Sequence, residues 1–232
     1  MNRVLSAARL HVVHPLVILG VPWVVVGISF AVNLALWGSV GIGVDDPGAT
    51  TWGVTALYAA VAFIFGQAVT QLLPFAMGVS LSRRVFFLGT ALVAVVQAVG
   101  YGLAVATLTR IERATDGWGV ALSYWAPGAL SVDRFWLQVL VSGTPMLAFM
   151  AVGVGVGIVQ KRWGLNGIWG LIIGLTAVLG GLIVLISWQR GWDDVGSWLG
   201  AQSIATLAVG LPIAVAAILG ALAFGGIRRV VP

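Results

Sequence analysis

Cysteine is missing altogether from the 232 residues, which excludes disulfides, thiol catalysis and cysteine-based metal sites together. Charge is nearly as scarce. Asp, Glu, Lys and Arg supply 8% of the residues, where a soluble domain carries about a quarter. His11 and His14 are the two histidines and have no acidic neighbour, too few ligands for a tetrahedral metal site. No G-x-x-x-x-G-K-[ST] phosphate loop occurs, so the chain does not hydrolyse ATP by that route. No serine sits in a G-x-S-x-G elbow. These absences point away from an enzyme.

What is present is apolar length. Hydrophobic residues make up 60% of the chain and its mean hydropathy is +1.06. A membrane crossing takes about 20 apolar residues, and the sequence offers six such runs, at 15–37, 52–73, 85–109, 135–159, 167–188 and 199–224. The expected fold is all-α, a single polytopic membrane domain over residues 1–232. Val4, Leu5, Ala8 and Val12 recur at helical spacing beside Arg3, Arg9 and His11. Residues 1–13 therefore read as a short helix lying in the interface, the alternative being a frayed tail. Asp45-Asp46-Pro47-Gly48 is a turn signal.

The charges are sorted by side. With six crossings, both ends and the even-numbered connections share one face. That face holds Arg3, Arg9, Arg83, Arg84, Lys161, Arg162, Arg228 and Arg229. All seven acids, Asp45, Asp46, Glu112, Asp116, Asp133, Asp193 and Asp194, fall on the other. The excess of Lys and Arg places both termini in the cytoplasm. The same asymmetry accounts for the net charge of +5 without a nucleic-acid partner.

Inside the runs only neutral polar groups remain: Asn33, Gln67, Thr70, Gln71, Gln97, Thr144, Thr176, Gln202 and Thr206. Proton and ion pathways generally use an intramembrane ionisable group, so an ion-coupled carrier is disfavoured. Gln67 and Gln71 share a helix face with Thr70 beside them; the patch either bonds neighbouring helices or faces a substrate path. Gly153 with Gly157, and Gly170 with Gly174, have the spacing that lets helices approach closely, within one subunit or along a dimer seam. Pro145 and Pro212 lie inside runs, and Pro74 sits at the exit of the second.

The segment Leu73-Pro74-Phe75-Ala76-Met77-Gly78-Val79-Ser80-Leu81-Ser82-Arg83-Arg84 joins the second and third runs with almost no slack, and Val85-Phe86-Phe87-Leu88-Gly89-Thr90 follows at once. With six runs, an interfacial N-terminal segment and this elbow, the chain resembles the type 2 ABC exporter permeases, especially the small ones of high-GC Gram-positive bacteria. The resemblance implies a pair of permease subunits, identical or sister chains, in the cell membrane of a bacterium. Each subunit would be driven by a separate cytoplasmic ATPase that carries ATP and Mg²⁺, with no cofactor on this chain.

By the same resemblance, Gly78, Ser80, Ser82, Arg83 and Arg84 contact the ATPase, and Lys161 and Arg162 make a second, smaller contact. Asn33, Gln67, Thr70 and Gln71 become candidates for the substrate path. Arg83 and Arg84 also suit plain anchoring to anionic lipid. The expected cargo is amphiphilic, such as a lipid, peptide antibiotic or drug. The alternative is a non-transporting membrane scaffold or assembly subunit. The chain departs from the pattern between the fifth and sixth runs, where 189–198 is short for the usual re-entrant hairpin. Either the outer gate differs or the fifth run ends near Gly180-Gly181, leaving 182–199 partly re-entrant.

Overall fold

The computed structural model describes residues 3–13, 15–42 and 49–227. His14, the Asp45–Gly48 turn and Arg228 and Arg229 lie outside the described residues. Among the described residues seven helices carry the architecture: α1 (Arg3–His11), α2 (Leu16–Val40), α3 (Thr55–Gly78), α4 (Arg83–Ala114), α5 (Phe135–Trp188), α6 (Trp192–Ala201) and α7 (Thr206–Ile227). No β-strand occurs among the described residues, apart from an isolated bridge between Thr50 and Ser123. Five helices, α2, α3, α4, α5 and α7, are long and apolar enough to cross a membrane.

The fourth and fifth apolar runs are one element of 54 residues, broken at Gly164 with φ 61° and ψ −150°. A side chain cannot adopt that conformation without strain; glycine can. A Cβ at Gly167 would meet Cγ1 of Val159 at 3.1 Å. In a straight helix those residues stand about 12 Å apart, so the chain doubles back at the basic turn. The sixth run begins at Thr206 rather than at residue 199. Residues 199–201 close α6, a short helix separated from α7 by residues 202–205. The helix runs without interruption through Gly180-Gly181 to Trp188.

The first arm of α5 (135–163) is the hub, packed against α3, α4 and α7. Its glycines permit this. A Cβ at Gly153 would overlap the carbonyl oxygen of Ala62, and one at Gly157 would lie 2.7 Å from the carbonyl oxygen of Gly66. Gly143 and Gly102 make the matching crossing with α4, where added Cβ atoms would sit 2.8 Å from Ala98 O and 2.7 Å from Val139 O. Gly153 and Gly157 thus serve packing within the chain. The second arm (165–188) and α6 are exposed nearly throughout, and a Cβ at Gly170 or Gly174 would point into open space.

Three prolines share one local solution. Pro22, Pro74 and Pro212 each follow a wide π-helical turn, at Leu16–Gly20, Ala68–Leu72 and Thr206–Gly210. A proline ring crowds the carbonyl four residues back and leaves it without its donor; widening the turn relieves the crowding. The orphaned carbonyl then needs another donor in an apolar layer. Ile18 O receives Nε2 of Gln97 at 3.1 Å. Ala208 O receives the Thr144 hydroxyl at 2.9 Å. For Pro74 the equivalent carbonyl belongs to Thr70, and among the described residues no side chain from another helix bonds it.

Candidate functional site: the elbow and the cavity beside it

The elbow is four residues long. After α3 closes, Ser80 N–H donates to Met77 O and Leu81 N–H to Ala76 O, both at 3.0 Å. This is the Schellman arrangement, with the left-handed position filled by Ser80 at φ 61° where glycine is usual. Ser82 then opens α4 with an extended backbone, and its hydroxyl accepts from Val85 N–H at 3.3 Å. The orphan carbonyls of one helix and an orphan N–H of the next are met within the turn. The joint is therefore closed at both ends and has no slack. Gly78, Ser80, Ser82 and Arg84 are exposed, and Arg83 is half-buried. Lys161 and Arg162 lie where α5 reverses, and the Arg162 guanidinium rests 4.4 Å from the Trp163 ring centre.

α1 lies against the start of α4. Ala7 is fully buried and takes the space a side chain at Gly89 would need; a Cβ there would come within 2.8 Å of Ala7 Cβ. One turn on, His11 is buried with Nε2 3.0 Å from Thr90 Oγ1. The Thr90 hydroxyl lies 3.0 Å from Phe86 O and His11 Nδ1 lies 3.4 Å from Ala7 O, so a neutral ring with its proton on Nδ1 donates to Ala7 O and offers Nε2 to the Thr90 hydroxyl. Burial lowers the His11 pKa from its ordinary value, opposed by a contact with Ala7 O. The neutral ring is what fits.

Beside this contact lies a cavity of ≈ 540 Å³ among α1, α2 and α3, with His11, Gln67 and Gln71 as its polar wall and Leu10, Val21 and Phe63 among its apolar lining. Gln67 Oε1 accepts from Thr70 Oγ1 at 3.1 Å and from Gln71 Nε2 at 3.0 Å. The patch is thus prearranged within its own helix, in the widened turn before Pro74. Phe63 and Gln67 also border a second, half-open cavity of ≈ 380 Å³, lined on its far side by Gln160, Leu165 and Ile168 of α5. The two cavities meet at Phe63 and Gln67.

Asn33 is not part of this group. It donates to Ser29 O at 2.8 Å and accepts from the Thr51 hydroxyl at 2.7 Å, tying α2 to the segment that enters α3. Thr51 precedes α3, and Gln67 lies twelve residues into it from Thr55, about 18 Å along the helix. Gln67, Thr70 and Gln71 are brought together, and Asn33 stands at the other end.

Sequence reasoning missed Glu112, read as one more acid of a connecting loop. It is buried, and its Oε2 accepts from Tyr124 N–H at 2.9 Å and from Trp125 N–H and the Trp118 indole at 3.3 Å. Residues 115–134 fold over the acid end of the bundle around this carboxylate. Phe30 packs against Trp118 and Tyr124 with ring centres 5.2 Å apart. Arg113 bonds Asp133 at 3.2 Å and also Ser131. The one available signal was a carboxylate at a helix end followed by Trp118, Tyr124 and Trp125. Comparison with family models, curated proteins and solved structures finds no match.

Proposed function

We propose that the chain is the membrane-spanning permease subunit of an ATP-driven exporter, acting on an amphiphilic cargo such as a lipid, peptide antibiotic or drug. The chain crosses the bacterial cell membrane six times, the two arms of α5 counting separately, with both ends and the elbow on the cytoplasmic side and α1 in the interface. A separate ATPase carries ATP and Mg²⁺. Two permease chains, identical or sister, enclose the path.

The observation that carries this reading is the elbow. A ligand-driven partner moves a membrane domain only through an element it holds differently in its two states. A four-residue joint capped at both ends passes such a displacement into α3 and α4 without absorbing it. Directly behind it lies the widened turn before Pro74, where among the described residues no side chain of a neighbouring helix bonds the carbonyl of Thr70, unlike those of Ile18 and Ala208. The force would enter at Ser80–Arg84, bend α3 at 68–74 and reshape the cavity that Gln67 and Gln71 line. A dominantly apolar chamber with two amides suits an amphiphile better than a sugar or an ion.

A second reading, a membrane scaffold whose elbow only docks a partner, is favoured by the closed cap around Glu112. Arg83→Glu combined with Arg84→Glu separates the two. In the reconstituted permease–ATPase complex, the exporter reading expects intact folding and pairing with loss of transport-coupled ATP hydrolysis. Coupled transport unchanged by the double substitution would remove the elbow from the mechanism.

A further inference from the structure

A different cavity, of ≈ 290 Å³, lies between α4, the first arm of α5 and α7. We propose that it is a lipid site: one acyl chain of an anionic bilayer phospholipid fills it, and the headgroup is held at Arg84 and Lys161. The inference goes beyond the transport reading and does not depend on it.

Small residues make the space. Ala91 and Ala94 of α4, Ala151 of α5 and Ala216 and Gly220 of α7 face one another where larger side chains would close the gap. The one polar side chain in the wall is Thr90, and its hydroxyl is already spent on Phe86 O and His11. A water needs two to four polar partners, whereas apolar cavities of about 150 Å³ stay dry and take apolar ligands. This one is larger and calls for an apolar occupant. Its wall runs along α7 from Ile213 to Ala223, about 15 Å of helix, so the occupant is elongated. α5 packs against both α4 and α7, while those two barely touch each other. The cavity therefore opens sideways between them, towards the surroundings that the exposed Ile213, Ile218 and Leu222 face. For a chain that spans a membrane, those surroundings are lipid.

Charge identifies the headgroup. Arg84, Phe87, Ala91 and Ala94 recur at three- and four-residue intervals and share one face of α4. Val154, Ile158 and Lys161 do the same on α5. On the basic side, Arg84 lies three residues beyond the wall residue Phe87, about 5 Å along its helix, and Lys161 seven beyond Val154, about 10 Å. Ile158 and Gly226 hold α5 and α7 together at that end, where a Cβ at Gly226 would be 3.2 Å from Ile158 Cγ2. Phe87 and Phe224 stand 5.3 Å apart there. A chain entering between α4 and α7 brings its phosphate to the level of Arg84 and Lys161. A second copy of this chain would leave those cations facing like charge.

The test uses the purified full chain, without any ATPase, in nanodiscs containing phosphatidylglycerol with a diazirine on one acyl chain. Photo-adducts should concentrate on residues 91–95 and 213–220. Gly220 has nothing within 4 Å of a Cβ, so Gly220→Leu enters the cavity and should cut those adducts by about fivefold or more. Leu222→Phe on the outward face should leave them unchanged, and Ala91→Leu provides a second filling variant if Gly220→Leu fails to fold. Arg84→Gln with Lys161→Gln should abolish the preference for phosphatidylglycerol over a phosphatidylcholine probe. Adducts spread evenly over outward residues, or insensitive to both filling variants, would overturn the acyl site. Equal labelling by both probes in the unmodified protein would overturn the anionic headgroup.

Discussion

Single side chains decide whether the wide apolar layers hold together. His11 is the sharpest case, because a ring buried against Thr90 and Phe86 is disfavoured in its charged form. The sign follows from linkage. A histidine whose folded pKa is lowered stabilises the folded state above its ordinary value near 6.5 and loses that contribution as pH falls below it. His11→Gln should therefore lower the melting temperature at pH 8, and the gap to the unmodified protein should shrink towards pH 5. A gap that does not change with pH would show that the ring's protonation has no part in docking α1. Of these residue roles, little was legible beforehand. Gln97 and Thr144 were visible as polar groups in apolar runs, but their partners are carbonyls freed by Pro22 and Pro212, and which helices adjoin is not written in periodicity. Glu112 lay hidden for the same reason: two of its three donors are backbone N–H groups, at Tyr124 and Trp125, that no side-chain pattern displays.

At the scale of the helices, the apolar runs gave length and order well, since about 30 Å of hydrocarbon imposes a minimum run. Boundaries were less legible. α4 continues to Ala114, five residues beyond the last apolar position counted, because Glu112 and Arg113 are bonded by the cap and need not leave the helix. The elbow was recognised from Pro74, Gly78 and the paired arginines. Its left-handed residue proved to be Ser80 instead of a glycine, which composition does not reveal. Helix crossings were legible as spacing alone, and only the structure says which glycines are used. Gly153→Ala should destabilise the detergent-solubilised protein by about 2 kcal/mol, the cost of forcing a methyl group into a packed crossing. Gly155→Ala, two residues away with open space at its Cβ, should change the melting temperature little. Equal effects from the two would mean that the α3–α5 contact at Ala62 does not hold the bundle.

On the scale of the whole molecule, polarity and packing divide the chain into two parts. One part is a closed bundle of α2, α3, α4, the first arm of α5 and α7, sealed at its acid end by the cap around Glu112 and gripped at its basic end by α1. The other, the second arm of α5 with α6, stands exposed along its length. A bundle that carries a short basic joint is suited to being pushed at that joint. The central claim is that a cytoplasmic ATPase does the pushing. The most direct measurement is affinity isolation of the tagged full-length chain in mild detergent, with every co-purifying protein identified and quantified by mass spectrometry. The account predicts a P-loop ATPase in one-to-one ratio with the chain, lost when Arg83 and Arg84 are both changed to Glu. A folded, monodisperse chain that isolates without any such ATPase would contradict it.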